Sequence, residues 1–212
     1  MANKETIIIS LGGSLVVPEN VDIDFLKYFK KIILKNFKKF NFVIVVGGGK
    51  TARNYLNALK EFGANSKNRD LMGISITKIN AELVKNIFAK NIQKKIIFGG
   101  GTKPGWSTDY VSVLMAKKHK TKTIINLSNI DYVYEKNPKK FPDAKCFENI
   151  SWKDFRKIIG TKWTPGLNVP FDPIASTIAE KQKMKVVVIN GKKIKELEKF
   201  LINTPFIGTT IQ

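Results

Sequence analysis

Apolar runs alternate with amphipathic stretches along most of the 212-residue chain. The apolar runs predict buried strands at 6–11, 42–46, 96–98, 122–127 and 185–189, and an edge strand at 209–211. The stretches between them predict helices at 24–37, 50–59, 70–89, 107–115, 151–159, 172–181 and 192–200. Residues 128–147 carry Pro138 and Pro142, and we expect them to be irregular. The alternation predicts an α/β fold: a three-layer αβα sandwich around a mostly parallel sheet.

The length of the chain is typical of one α/β domain, and we see no linker that would divide residues 1–212. No apolar run approaches the roughly 20 residues that a membrane span needs. The apolar run at 7–11 is also too short for the core of a secretory signal. We therefore expect a cytosolic protein with no membrane contact.

The formal net charge is +20, which is compatible with a polyanionic partner. The excess is almost entirely lysine spread over predicted helix faces, and the only arginines are Arg53, Arg69 and Arg156. Nucleic-acid readers usually rely on arginine for bidentate contacts. The charge pattern therefore favours a solvated surface over a nucleic-acid site.

Histidine and cysteine each occur once, as His119 and Cys146. A single cysteine excludes an intrachain disulfide. One histidine makes a Ser-His-Asp triad or a histidine-rich zinc site a poor interpretation.

Three glycine-rich turns each follow a predicted strand, at 12–13, 47–49 and 99–101. Glycine lets backbone N–H groups approach and face an anion, and a following helix adds its positive end. Three such turns favour phosphate binding over ordinary tight turns. The run Gly49-Lys50-Thr51 is not a P-loop, because Ile44 stands where that motif needs its first glycine.

Several polar residues stand near these turns. Arg53 lies one helical turn beyond Gly49 and could grip a phosphate, or it could be an ordinary exposed arginine. Asp70 could bind sugar hydroxyls, although capping a helix is the simpler interpretation. Asp131 follows the strand at 122–127 and could orient magnesium-bound phosphates or nearby cations, or it could be a turn residue.

The loop at 104–109 places a glycine and two hydroxyls at the start of a helix, where backbone N–H groups could hold an acceptor phosphate. Trp106 within it could stack on a base or shield the loop, and Asp109 is a favourable first-turn acid.

These segments together resemble the amino-acid kinase superfamily and, within it, the archaeal-type uridylate kinases. The matching stretches span nearly the whole chain in family order, with the most specific at 47–53 and 102–109; they lie at 11–20, 45–53, 70–77, 101–109, 129–145, 171–173 and 208–211.

The resemblance implies ATP-dependent phosphorylation of UMP, with Mg²⁺ as the cofactor and an amino-acid kinase-like fold. The N-terminal part would bind UMP, the C-terminal part would bind ATP, and the assembly would be a homohexamer built as a trimer of dimers. It implies no direct metal ligand and three sets of residues: catalytic Asp131, Arg53 and Lys50; ATP-binding Gly13, Ser14, Gly49, Arg53, Ser128, Tyr134 and Asn137; UMP-binding Gly48, Asp70, Thr102, Lys103, Pro104, Gly105, Trp106, Ser107 and Thr108.

The chain departs from the family pattern at three positions. Ser10 stands where many members have a lysine, and Lys50 and Lys103 are the candidates for the missing cation. Tyr132 replaces a usual glycine, and Asn137 replaces a usual aspartate.

Three alternatives stay open from the sequence. A sister kinase would phosphorylate another acceptor, such as an isopentenyl phosphate or an amino-acid carboxylate. A nucleic-acid or regulatory binding protein would use the net charge of +20. A non-catalytic nucleotide sensor would retain the fold without the reaction.

Overall fold

The computed structural model describes residues 4–160 and 169–212 of the chain. Its strands, in chain order, are β1 Glu5–Leu11, β2 Phe40–Val46, β3 Ile96–Gly99, β4 Thr123–Ser128, β5 Val133–Tyr134, β6 Cys146–Phe147, β7 Asn149–Ile150, β8 Lys185–Asn190 and β9 Thr209–Ile211. All except β5 and β6 form one sheet with the order β3-β2-β1-β4-β8-β9-β7. Strands β5 and β6 pair separately as a short antiparallel ribbon.

The predicted mostly parallel sheet is confirmed. Strand β1 pairs in parallel with β2 on one side and β4 on the other, β3 extends the parallel order beyond β2, and β8 extends it beyond β4. Only the β8–β9 pairing is antiparallel among the pairings of this sheet that the structure describes. The prediction that 209–211 is an edge strand is wrong, because β9 lies between β8 and the two-residue strand β7.

The helices fill the intervals between the strands. They are α1 Gly13–Val16, α2 Ile23–Asn36, α3 Gly49–Glu61, α4 Ser66–Asn86, α5 Lys90–Gln93, α6 Thr108–Lys118, α7 Trp152–Ile159, α8 Pro173–Lys181 and α9 Lys195–Leu201, with a 3₁₀ turn at Gly191–Lys193 before α9. Ser107 and Ser151 cap α6 and α7 as expected, since each hydroxyl accepts the backbone N–H three residues ahead. None of the described helices combines the length and the apolar character that crossing a bilayer needs.

Two apolar cores lie on opposite faces of the sheet, which confirms the three-layer sandwich. Residues of β1 alternate between them because successive side chains of a strand point to opposite faces: Ile7 and Ile9 enter one core and Ile8 the other. The first core includes buried residues of α2, α4 and α9. The second includes buried residues of α6, α7 and α8.

Three element predictions need correction. Residues 128–147 are not wholly irregular, because β5 and β6 pair with Val133 opposite Phe147. The helix expected from residue 70 begins at Ser66, after Asn65 accepts the N–H of Asn68. The helix expected at 192–200 is divided, since the first turn is 3₁₀ and α9 starts only at Lys195. Short pairings and caps of this kind have too few residues to produce a clear periodic signal.

Candidate functional site

The three glycine-rich turns lie at one edge of the sheet. Strands β1, β2 and β3 are adjacent and parallel, so their carboxyl ends face the same way. Ligands of open parallel sheets bind outside this edge. The prediction that the turns at 12–13, 47–49 and 99–101 collect at one edge of the sheet is confirmed, and we call this edge the cradle.

The first two turns are in direct backbone contact. A Cβ atom added to Gly13 would lie 2.1 Å from the backbone nitrogen of Gly49 and 2.5 Å from the carbonyl carbon of Gly47. Gly49 has a φ of +66°, a conformation that favours glycine, and it also approaches the carbonyl oxygens of Gly13 and Val17. Only glycine at position 13 allows the backbones of the two turns to pack this closely.

Helix α4 holds the second and third turns through Asn80 and Thr77, neither of which the sequence analysis named as a site candidate. Thr77 Oγ1 accepts the backbone N–H of Gly101 at 2.7 Å, and Asn80 Nδ2 donates to the carbonyl oxygens of Gly47 and Gly48 at 2.9 and 3.1 Å. Both side chains are buried. The sequence offered one signal for them: two polar residues three positions apart lie on the buried face of α4, whose other buried residues are apolar.

The cationic candidates beside the second turn differ in their contacts. Lys50 Nζ pairs with Glu19 Oε1 at 3.1 Å. Arg53 is exposed on α3, and its guanidinium makes no hydrogen bond or ion pair with the residues that the structure describes. Toward the part of the chain that the structure describes, Arg53 therefore uses none of its five guanidinium donors. Ser14 belongs to α1, directly after the first turn, and Gly48 is the N-cap of α3.

Asp70 joins α4 to the loop at 102–107. Its Oδ2 accepts the backbone N–H of Gly105 at 2.7 Å, and Gly105 has a φ of +81°. The interpretation of Asp70 as a helix cap is wrong, since α4 starts four residues earlier and Asn65 caps it. Among residues 4–160 and 169–212, no donor contacts the other carboxylate oxygen of Asp70.

The same loop is ordered by aromatic contacts. The ring of Trp106 lies 4.8 Å from that of Tyr110, and Lys103 Nζ lies 5.0 Å from the centre of the Trp106 ring. Thr102, Lys103, Pro104 and Gly105 are exposed, while Ser107 and Thr108 are half-buried at the start of α6. The loop thus extends the cradle beyond the third turn.

Asp131 lies beyond β4 and is held by Asn190, at the end of β8, and by Lys193, in the 3₁₀ turn that follows β8. Asn190 Nδ2 donates to Asp131 Oδ1 at 2.8 Å, and Lys193 Nζ donates to Oδ2 at 2.8 Å. The hydrogen bond from Lys193 holds the pKa of Asp131 below its ordinary value. Neither Asn190 nor Lys193 was a sequence candidate, and Lys193 is 62 residues from Asp131 along the chain.

The other residues predicted to bind ATP belong to β4, to β5 and to the loop that follows β5. Ser128 ends β4, opposite Asn190 in the register, and Tyr134 belongs to β5. Asn137 is exposed, and its Oδ1 accepts the backbone N–H of Lys139 at 3.0 Å, which stabilises a local turn.

A half-buried carboxylate, that of Asp109, lies beside β1, the strand that leads into the first glycine turn. Asp109 Oδ1 accepts the hydroxyl of Ser10 at 2.8 Å, and Oδ2 accepts the backbone N–H of Asp172 at 3.1 Å. Burial raises the pKa of Asp109 to about 6, aided by the charge of Asp172 and opposed by the Ser10 hydrogen bond. Position 10 therefore carries a neutral hydroxyl that is used to hold Asp109.

Because folding raises the pKa of Asp109 from 3.8 to about 6, the folded state keeps a proton that the unfolded chain loses. We expect the contribution of Asp109 to the free energy of unfolding to decrease by about 2 kcal/mol as the pH rises from 3.8 to about 6. Asp109→Asn should remove that dependence, since its amide can donate to Ser10 while its oxygen accepts from Asp172. Urea unfolding of both proteins at pH 4, 5, 6 and 7 measures the difference. A difference that stays constant with pH would contradict the raised pKa.

Comparison with known proteins agrees with this geometry. The model of the family described as "Amino acid kinase family" matches residues 5–99 and 75–190. A uridylate kinase of Thermoplasma volcanium is 34% identical, over 99% of this chain and 98% of that protein, and a uridylate kinase of Pyrococcus abyssi is 34% identical, over 97% and 99%. The crystal structure of uridylate kinase from Archaeoglobus fulgidus superposes with a TM-score of 0.82 at 30% identity, covering 97% of this chain and 99% of that one.

Proposed function

The chain belongs to the amino acid kinase family, and from this membership we propose that it is a uridylate kinase, which transfers the γ-phosphoryl group of ATP to UMP and yields UDP and ADP. The relatives that carry this name match it over nearly their whole length. These relatives are named for UMP as the acceptor, which favours UMP over the isopentenyl phosphate or amino-acid carboxylate of a sister kinase.

One structural observation carries the proposal: the glycine turns after β1 and β2 are in backbone contact at one edge of the sheet. Two anionic chains that enter such a cradle from opposite sides meet head to head. Helices α1 and α3 begin at these two turns, and the positive ends of their dipoles would help to neutralise negative charge at the meeting point. A reaction between two phosphate groups is the chemistry that this arrangement suits best.

We assign the acceptor side to the N-terminal part of one domain spanning residues 1–212. Gly48 and Asp70 would contact UMP, and the loop from Thr102 to Thr108 would enclose its phosphate and base. Asp70 supports this role, because the carboxylate that binds Gly105 still has an oxygen for ribose hydroxyls. Lys103 and Trp106 would close the loop over the nucleotide through their mutual contact.

We assign the donor side to the first glycine turn and the C-terminal part. Gly13, Ser14 and Gly49 would contact the ATP phosphates. Ser128, Tyr134 and Asn137 would line the remainder of the ATP site. Arg53 and Lys50 would bind the phosphoryl groups in transit, and Asp131 would organise the centre between them.

The proposed reaction needs no strong general acid or general base. The acceptor oxygen of UMP is already anionic at neutral pH, so its attack needs no general base. Catalysis then consists of positioning the two phosphates in line and neutralising the charge of the transferred group. Exposed Arg53, with no partner among the described residues, suits the second task.

Magnesium fits this site as a companion of ATP. The described residues contain no cluster of three or more His, Cys, Asp or Glu side chains that could hold a metal. Mg²⁺ commonly binds substrate phosphates and water with few protein ligands, so the residues present are compatible with it. When bound, the ion would neutralise part of the phosphate charge.

We further propose a cytosolic homohexamer assembled as a trimer of dimers. Large apolar side chains are exposed on or beside α3 and α4, including Tyr55, Phe62, Leu71 and Ile79, and Phe62 is 89% exposed. Helices α3 and α4 pack on each other, so these side chains can contribute to contact surfaces between copies. Light scattering measured during size-exclusion chromatography tests the assembly. A cytosolic location agrees with ATP as a substrate.

An ADP-release assay with ATP and a panel of acceptors tests the function. The panel contains UMP, CMP, dUMP, AMP and GMP, together with isopentenyl phosphate and amino acids. We expect UMP to give the highest kcat/KM. ADP release that is greatest with isopentenyl phosphate or an amino acid would establish a sister kinase instead. No release above the rate without acceptor would favour a nucleotide sensor.

A further inference from the structure

The two oxygens of the Asp131 carboxylate are both occupied by protein donors. Asn190 Nδ2 donates to Oδ1 and Lys193 Nζ donates to Oδ2, each at 2.8 Å. Each oxygen therefore already accepts one hydrogen bond, and the one on Oδ2 comes from a charged ammonium group. The arrangement is that of a carboxylate that positions a cation.

The turn that carries Lys193 is itself rigidly placed. Asn190 Oδ1 accepts the backbone N–H of Lys192 at 2.9 Å, so one side chain stabilises the 3₁₀ turn and also binds Asp131. Gly191 is buried against Leu15, and a Cβ atom added there would lie 2.2 Å from Leu15 Cδ1. The turn therefore packs on α1, the helix that starts at the first glycine turn.

The sheet places this cation beside the donor-side residues. Asn190 lies opposite Ser128 in the parallel β4–β8 pairing, at the carboxyl ends of both strands. Strand β4 also pairs with β1, and the backbone N–H of Gly12 donates to the carbonyl of Leu127 at 2.9 Å. Lys193 thus stands at the same edge of the sheet as the first glycine turn.

The two lysines that the sequence suggested as the missing cation have other contacts. Lys50 pairs with Glu19, and Lys103 lies over the Trp106 ring. The Lys193 side chain is 49% exposed although it is bound to Asp131. Its ammonium group has three donors, and Asp131 accepts only one of them.

We propose that Lys193 is the cation that binds the ATP phosphates on the donor side of the site, and that Asp131 is a positioning residue that acts through it. This inference rests on the proposed kinase function and adds the residue that supplies the donor-side charge. Asn190 completes the unit by holding the turn and the carboxylate together. The hydrogen bond to Asp131 raises the pKa of Lys193, whose ammonium group is charged at neutral pH even at its ordinary pKa.

The test compares Lys193→Met, Asp131→Asn and the double variant with the wild type. We expect Lys193→Met to reduce kcat/KM for ATP by about 10²-fold, with little change in the KM for UMP. Asp131→Asn should lower turnover by a smaller factor. The double variant should be no worse than Lys193→Met alone, because residues that act as one unit are not additive. Lys193→Arg should recover part of the loss.

The matched control is Lys157→Met, which removes a lysine that pairs with Asp154 at the same 2.8 Å distance on α7. It should retain wild-type kinetics, and thermal melts of all variants check that they fold. An unchanged KM and kcat in Lys193→Met would overturn the inference. So would a loss from Asp131→Asn that is equally large with and without Lys193, since Asp131 would then act independently.

ATP binding without an acceptor separates this inference from the proposed function. Isothermal titration calorimetry with Mg·ATP should show at least about tenfold weaker binding to Lys193→Met than to the wild type. If the wild type binds ATP but phosphorylates no acceptor, the proposed function fails while this comparison still decides the role of Lys193. Equal affinity in the two proteins would overturn that role.

Discussion

Replacing Arg53 with alanine is expected to reduce kcat/KM for UMP by about 10²- to 10³-fold, the usual effect of removing one donor to a transition-state anion. The side chain is exposed and has no hydrogen-bond or ion-pair partner among the described residues, so its loss should leave the fold unchanged. The thermal melting temperature should therefore stay within a few degrees of the wild type. Steady-state kinetics with varied UMP and varied ATP measures the effect on each substrate.

The control for Arg53→Ala is Lys60→Ala on the same helix. Lys60 is also exposed and cationic, but it lies seven residues further along α3, about 10 Å along the helix axis. Its removal changes the net charge equally and should leave the kinetics unchanged. If both variants lose activity to the same degree, general surface charge explains the effect and Arg53 has no specific role.

Gly13→Ala is expected to abolish measurable activity and to lower the free energy of unfolding by more than about 2 kcal/mol. The new methyl group would stand 2.1 Å from the Gly49 nitrogen and 2.6 Å from the Gly47 oxygen, so the backbones must move apart. No flexible side chain is available there to yield. Urea unfolding and the ADP-release assay measure the two effects.

Gly73→Ala is the matched glycine control. Its added methyl group would lie 3.6 Å from Leu56 Cδ1, an ordinary contact, and the site is within helix α4. Alanine is favoured over glycine in a helix interior, so stability should stay equal or rise by up to about 1 kcal/mol. If Gly13→Ala behaves like Gly73→Ala, the close contact of the two turns is not required for folding or for catalysis.

The sequence alone determined the layered fold because its signals are local and repeated. Each buried strand of the parallel sheet is an apolar run, and each long helix has an amphipathic or capped segment, as at Ser107 and Ser151. Glycine clusters at three strand ends located the cradle for the same reason. Parallel neighbours necessarily present their carboxyl ends together.

Residues that act across long distances were outside the reach of such patterns. Ser10 binds Asp109 from 99 residues away, and Lys193 binds Asp131 from 62 residues away. In a lysine-rich chain, no local feature of the sequence indicates which carboxylate a given lysine will contact. Likewise, the sequence predicts β9 as a strand, but β9 lies inside the sheet only because β7 pairs with it. Strand β7 has two residues, which are too few to show a hydrophobic period.

The sequence by itself therefore determined the elements, their layering and the edge where the turns collect, since hydrophobic period and glycine content act within a few residues. Only the tertiary structure decided which charges meet there. Strand order brings β8 beside β4, and this order alone places Lys193 against Asp131. Pairing between distant side chains depends on the packing of the whole sheet, which no short stretch of sequence encodes.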